Sequence, residues 1–149
     1  MRLRVYVDTS VVGGCLDAEF AEESRALIEM ARRGEVVLLV SDLLLQELAR
    51  APREVQEVLT AVPREYTEEV APSDEGKRLR DAYVAGGVVP EGSKDDAYHV
   101  ALATLSRADV VVSWNFKHIV HFDKVRGFNA VNAREGYPVI DIRSPRELV

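Results

Sequence analysis

Residues Leu3–Ser10 have the sequence LRVYVDTS, in which a short apolar run ends directly in an acidic residue. Continuous apolar runs of this length predict a strand that is covered on both faces of a sheet. Open α/β folds bind their ligands at the carboxyl ends of such strands. We therefore expect Asp8 to present its carboxylate at that edge, with Thr9 and Ser10 as polar neighbours.

Three further patches of similar character follow along the chain. LLLQELAR contains Glu47, SKDDAYHVALA contains Asp96, and VVVSWNFKHIV contains Asn115. Each patch is predicted at a strand end or near a helix start. Because hard cations such as Mg²⁺ take oxygen ligands, four such patches predict one pocket, built from distant segments, that holds a divalent cation.

Strand-like runs alternate with helical patterns over the whole chain. The strands are predicted at Leu3–Val7, Val36–Val40, Val110–Ser113 and Pro138–Ile142. The helices are predicted at Glu22–Arg33, Asp42–Ala51, Pro52–Val62, Ser73–Ala85 and Ser93–Arg107. This alternation predicts the α/β class: one three-layer α/β/α domain over residues 1–149 with a mainly parallel central sheet.

The helix starts carry polar residues that also have a structural explanation. Asp42 and Ser93 are predicted to cap the helices that follow them. Asp95 and Asp96 would lie in a first helical turn, where the helix dipole favours each carboxylate by roughly 0.3–1 kcal/mol without any chemistry. The apolar register aims Asp96 at the sheet edge and Asp95 outward. His99 lies three residues after Asp96 and four after Asp95, so it is close enough to hydrogen-bond either carboxylate.

The length and composition of the chain limit the kinds of protein that it can be. A chain of 149 residues with 47% hydrophobic content fits one domain with a sizeable core. It has neither a membrane-length apolar stretch nor a signal peptide, so we expect a cytoplasmic protein with no membrane partner. The single Cys15 is predicted to be a small buried residue rather than a nucleophile. The acidic segment Glu54–Glu75 is predicted to be a solvated helical face, or else a surface for a basic partner.

The formal net charge of −6 argues against binding of nucleic acid by the surface as a whole. The segment Trp114–Phe128 has the opposite bias, because cations alternate with aromatic residues along it. Lys117, Lys124 and Arg126 are expected to bind the backbone of a single-stranded nucleic acid, with the aromatic side chains stacking on bases. An amphipathic segment whose aromatic side chains lie in the core fits the same pattern.

The four motifs VYVDTSVV, LLLQELAR, DAYHVALA and ADVVVSWNFKHI resemble the PIN-domain family over nearly the whole chain. The resemblance implies an α/β/α fold and a metal-dependent ribonuclease, and the size is similar to the VapC-type toxins of type II toxin–antitoxin pairs. It implies that Asp8, Glu47 and Asp96 bind Mg²⁺ or Mn²⁺. It further implies RNA as substrate, an antitoxin protein as partner, and a homodimer.

The fourth motif departs from the family pattern. Where many members have Thr-x-Asp, this chain has Ser113, Trp114 and Asn115. Three carboxylates carry enough negative charge to balance one divalent ion, but one charge too few to balance two such ions. Asn115 is neutral and offers only a carbonyl oxygen. Ser10, Asp95, His99 and Ser113 are expected to support the ligands rather than bind the ion.

This departure leaves a second function open: a PIN-like module that binds RNA or protein with weak or no nuclease activity. Two other families fit less well. A haloacid-dehalogenase phosphatase would need an acidic residue where this chain has Ser10, and a response-regulator receiver would need an acidic pair after the first strand.

Overall fold

Five parallel strands form the central sheet of the computed structural model, which describes all residues 1–149. The strands are β1 (Leu3–Val7), β2 (Val36–Ser41), β3 (Thr67–Val70), β4 (Val110–Val112) and β5 (Ile142–Arg143). Their order across the sheet is β3-β2-β1-β4-β5. The chain therefore extends the sheet to one side of β1 and then returns to add β4 on the other side. The carboxyl ends of β1 and β4 meet at this switch point, where open α/β sheets bind ligands.

Seven α-helices cover the sheet. They are α1 (Thr9–Gly14), α2 (Ala21–Arg32), α3 (Asp42–Leu48), α4 (Arg53–Gln56), α5 (Asp74–Ala85), α6 (Lys94–Leu105) and α7 (Phe122–Arg134). Short 3₁₀ turns lie at Val58–Ala61, Arg64–Tyr66, Glu91–Ser93 and Pro145–Glu147. None of the seven helices combines the length and the apolar character that a membrane span requires.

Alternate residues of each strand enter two separate cores, because successive strand side chains point to opposite faces. Tyr6, Leu39 and Val111 pack against α5, α6 and α7. Val5 and Val7 pack on the other face against α1, α2 and α3. The predicted three-layer α/β/α arrangement with a parallel sheet is confirmed.

Several element boundaries differ from the sequence prediction. The strand expected at Pro138–Ile142 is β5, of two residues only. The helix expected at Pro52–Val62 is divided into α4 and the 3₁₀ turn that follows it. The acidic segment Glu54–Glu75 is not one helical face, since it contains the edge strand β3.

The helix caps also differ in detail. Ser41, and not Asp42, caps α3, since its Oγ accepts a hydrogen bond from the Leu44 amide at 3.1 Å. Ser93 occupies the cap position of α6, but its side chain makes no capping bond. Cys15 is buried, as expected, at 3% exposure.

Candidate functional site

Asp8 is a buried carboxylate at the carboxyl end of β1, with 4% exposure. Its Oδ1 accepts hydrogen bonds from Ser10 Oγ at 2.6 Å and from the Val11 amide at 3.3 Å. Its Oδ2 accepts one from Ser113 Oγ at 2.6 Å. A carboxylate has about four lone-pair sites, so Asp8 can take one further donor or cation on Oδ2.

Two serine hydroxyls join the ends of β1 and β4. Ser10 Oγ accepts the Trp114 amide proton at 2.8 Å, and Ser113 Oγ accepts that of Asn115 at 2.9 Å. Ser113 is fully buried. Ser10 and Ser113 thus position the turn that carries Asn115 as well as the Asp8 carboxylate.

Asn115 lies where the family motif would place an acidic side chain. Its Oδ1 caps the following turn by accepting the His118 amide proton at 2.9 Å. Its side chain also lies near Asp96 and favours the ionised form of that carboxyl. Asn115 therefore acts on Asp96 in this arrangement, and its role as a metal ligand or a water-orienting carbonyl stays a prediction.

Asp96 lies at the start of α6, half-buried and near enough to Asp8 for the charge of that residue to act on it. Burial raises the pKa of the Asp96 carboxyl above its ordinary value, and the charge of Asp8 raises it further. The charges of His118 and His99 and the nearby Asn115 side chain oppose this rise without cancelling it. Asp95 is exposed, in agreement with the predicted helix register.

Glu47 belongs to a hydrogen-bonded chain that the sequence did not predict. Its Oε1 accepts from Thr9 Oγ1 at 2.7 Å and contacts His99 Nε2 at 2.6 Å. The other nitrogen of the buried His99 lies 2.7 Å from the hydroxyl of Tyr6, which donates to Ser41 Oγ at 2.8 Å. His99 therefore contacts Glu47 and not Asp95 or Asp96, which is a correction of the expectation from spacing.

These contacts determine the ionisation of Glu47. Burial alone would raise the pKa of this carboxyl, but the hydrogen bond and charge of His99 and the bond from Thr9 lower it below its ordinary value. Glu47 is thus a fixed carboxylate. Both bonds go to Oε1, so Oε2 remains available to another group.

The three carboxylates come from three elements, but they do not form a ready-made cage. No group of three or more His, Cys, Asp or Glu side chains lies close enough to hold a metal ion. Mg²⁺ usually keeps several waters and needs only one or two carboxylates from the protein. The Asp8 and Asp96 pair offers that number of carboxylates, and the charge of Asp8 raises the pKa of the Asp96 carboxyl.

His118 is a further polar side chain of this pocket, and it was absent from the predicted site residues. It lies near enough to Asp96 to lower the pKa of that carboxyl. Its Nδ1 is buried and has no hydrogen-bond partner. The only sequence signal was its spacing of three residues from Asn115, within a segment that also suggested RNA binding.

The predicted RNA-binding residues have different surroundings. Lys117 is exposed beside the pocket, and the Arg126 guanidinium stacks 5.5 Å from the ring centre of the exposed Phe122. Lys124 is half-buried, and its Nζ donates to the Val88 carbonyl at 2.7 Å. This bond makes Lys124 part of the fold rather than a free cation.

The aromatic residues of the same segment divide in a similar way. Trp114 is 5% exposed, stacks on Phe20 at 4.3 Å between ring centres, and donates its indole N–H to Ser24. Phe128 is fully buried, whereas Phe116 and Phe122 are 44% and 72% exposed. Only the last two remain candidates for stacking on bases.

Comparison with family models finds no match for this chain, and comparison with curated proteins also finds none. Among solved structures, the chain is similar to one in the crystal structure of VapBC2 from Rickettsia felis bound to a DNA fragment from their promoter. The TM-score is 0.59 at 12% sequence identity, over 95% of this chain and 98% of that chain. At this identity the similarity defines the fold, and it confirms the predicted VapC-like PIN fold.

Proposed function

We propose that this chain is a divalent-metal-dependent endoribonuclease that hydrolyses phosphodiester bonds of single-stranded or structured RNA in the cytoplasm. The observation that carries the proposal is the juxtaposition of Asp8 and Asp96 at the switch point of the sheet. Both carboxylates are at least partly desolvated there, and burial together with the charge of Asp8 raises the pKa of Asp96. A divalent cation would relieve this repulsion, and the VapC-like PIN fold supports the same function.

Asp8 and Asp96 would hold Mg²⁺ or Mn²⁺ directly. When bound, the ion supplies a hydroxide near neutral pH and stabilises the charge that develops on the phosphate. Asp8 is oriented for this role by Ser10 and Ser113, and Asp96 by Asn115.

Glu47 would act through water. Thr9 and His99 fix its Oε1, so Oε2 is free to accept a proton or hydrogen bond from a water molecule in the pocket. Carboxylates that are held in the ionised form are suited to this task. This assignment accounts for a Glu47 that is held rigidly but does not join a group of three ligands.

The substrate would approach along the exposed surface beside the pocket. Lys117 and Arg126 would contact phosphates, while Phe116 and Phe122 offer flat surfaces for unpaired bases. The buried Nδ1 of His118 would bind the phosphate or a water that contacts it, which would satisfy an otherwise unpartnered group.

We also propose a role as the toxin of a type II toxin–antitoxin pair. The fold similarity to a chain of a VapBC2 complex supports this role. We therefore propose a cognate antitoxin as partner and a homodimer as the assembly. Co-purification with the product of the adjacent gene, followed by light scattering, tests both.

Cleavage of end-labelled single-stranded RNA tests the nuclease. We expect cleavage with Mg²⁺ or Mn²⁺, none with EDTA, and a loss of at least about 100-fold in Asp8→Asn, since an essential group of a metal-assisted hydrolysis is removed. Asp95→Asn is the matched control, because Asp95 is exposed. Full activity of Asp8→Asn would refute the assignment.

An RNA- or protein-binding module without nuclease activity is the second candidate. The neutral Asn115 and the lack of a three-ligand group favour it. It predicts RNA binding that is the same with and without divalent metal, and no cleavage under either condition.

A further inference from the structure

A cavity of about 150 Å³ lies between α3, α6 and the start of α5. Four polar side chains line it: Asp42, Gln46, Lys77 and Tyr98. Leu43 and Leu102 contribute apolar surface. The cavity is therefore a mixed polar and apolar space rather than a packing defect of the core.

One polar group of this cavity is buried without a partner, whereas Asp42, Gln46 and Lys77 are exposed at its rim. Tyr98 is 7% exposed, and its hydroxyl is buried without a hydrogen-bond partner. Asp42 and Lys77 take part in none of the ion pairs of the chain. Native proteins rarely leave a buried hydroxyl unsatisfied, so a bound group in the cavity would explain this arrangement.

The cavity lies at the same edge of the sheet as the candidate site. Asp42 directly follows β2, and Pro72, which also lines the cavity, lies two residues after β3. The helix α3 carries both Asp42 and Glu47, and α6 carries both Asp96 and Tyr98. Neighbouring strands are only about 4.8 Å apart, so a cavity beside the ends of β2 and β3 lies within a few strand spacings of the ends of β1 and β4.

Size and lining indicate what the cavity accepts. An engineered cavity of roughly 150 Å³ binds benzene, so a space of this volume takes one six-membered ring. The carboxylate of Asp42 accepts hydrogen bonds, Lys77 and the Tyr98 hydroxyl donate them, and the Gln46 amide does both. Pyrimidine bases present donors and acceptors on one ring, whereas the second ring of a purine needs more room.

We propose that this cavity binds a pyrimidine base of the RNA substrate beside the cleavage site. Proteins that recognise RNA sequence commonly bind unstacked bases in this manner. The inference rests on the proposed function, because it adds a base-specific contact to a nuclease site whose exposed Phe116 and Phe122 would stack on any base.

Fluorescence anisotropy with labelled 10-nucleotide oligomers of uridine, cytidine and adenosine tests the inference. The titrations are made in EDTA, so binding is observed without cleavage. We expect the wild-type chain to bind at least one pyrimidine oligomer about tenfold more tightly than oligoadenosine. Tyr98→Phe should reduce this preference roughly fivefold, the effect of one net hydrogen bond.

Tyr66→Phe is the matched control, since it removes a tyrosine hydroxyl near Gly34, at the opposite edge of the sheet. It should leave the preference unchanged. Tyr98→Phe should also melt at the same temperature as wild type or higher, because it removes an unpartnered buried hydroxyl. A lower melting temperature would mean that the hydroxyl is satisfied by the protein or by water alone, which overturns the inference.

Two further results would overturn the inference. One is equal affinity for all three oligomers. The other is binding of free uridine or cytidine monophosphate as tightly as the oligomers, which would assign the cavity to a free nucleotide. Because cleavage is not measured, failure of the nuclease proposal would appear separately, in the Asp8→Asn assay.

Discussion

Ser113→Ala should destabilise the metal-free protein far more than the loss of one hydroxyl usually does. The Ser113 hydroxyl is fully buried, donates to Asp8 Oδ2 at 2.6 Å, and accepts the Asn115 amide proton at 2.9 Å. Asp8 is 4% exposed, so water cannot easily replace the lost donor. A hydrogen bond to a charged group contributes about 1.5–3 kcal/mol, and the Asn115 amide would also lose its acceptor. We therefore expect the free energy of unfolding to fall by about 2–4 kcal/mol.

Urea unfolding followed by circular dichroism at pH 7 in EDTA measures this loss. A domain of this size has a total stability of about 5–15 kcal/mol, so the expected change is readily measured. Ser106→Ala is the control, because the Ser106 hydroxyl only bonds the Leu102 carbonyl within its own helix and should contribute little. A loss below about 0.5 kcal/mol for Ser113→Ala would refute the view that these hydroxyls hold Asp8 in place.

Three further predictions concern the charges of the site. Asp96→Asn should raise the melting temperature of the metal-free protein by about 2 °C, since it removes repulsion with Asp8 at a half-exposed position, and Asp95→Asn should not. A lower melting temperature of Asp96→Asn would contradict the repulsion between Asp8 and Asp96. Asn115→Asp should add a second Mn²⁺ site in calorimetric titration because it adds a fourth carboxylate; unchanged stoichiometry would oppose the charge count. Charge reversal at Lys117 and Arg126 should reduce the slope of log binding constant against log salt concentration by about 0.7 for each phosphate contact that is lost. An unchanged slope would mean that these two residues do not contact the RNA phosphates.

The sequence predicted the fold and the location of the acidic residues because both depend on local patterns. The apolar run Leu3–Val7 and the polar group that follows it are sufficient to predict β1 and the position of Asp8 at its carboxyl end. The small residues of α6 predicted the register that separates Asp96 from the exposed Asp95. The resemblance to PIN domains was confirmed at the level of the fold.

Elements that depend on distant contacts were not predictable. The strand β3 is TEEV, in which Glu68 and Glu69 are exposed and only Val70 is buried, so it has no apolar pattern. It pairs with β2, and its Glu68 forms an ion pair with Arg4 at 2.6 Å, 64 residues away. The helix α7 was missed for a related reason, since its aromatic residues suggested a nucleic-acid surface.

The partners within the site were also decided by tertiary structure. Spacing along a helix suggested Asp95 or Asp96 as the partner of His99, but the actual partner is Glu47, 52 residues away. In the same way, the unpartnered Nδ1 of His118 is visible only when the surroundings of the ring are known. Sequence spacing therefore predicted which residues approach the pocket but not which of them pair.

Calorimetric titration of Mn²⁺ into the wild-type chain and into Asp8→Asn and Asp96→Asn tests the central claim most directly. The account predicts one Mn²⁺ ion per wild-type chain and at least a tenfold weaker affinity in each variant, because each removes one of the two carboxylates that hold the ion. Glu47→Gln, by contrast, should retain the site with a smaller loss. Equal Mn²⁺ affinity in wild type, Asp8→Asn and Asp96→Asn would contradict the claim that these two carboxylates form the metal site.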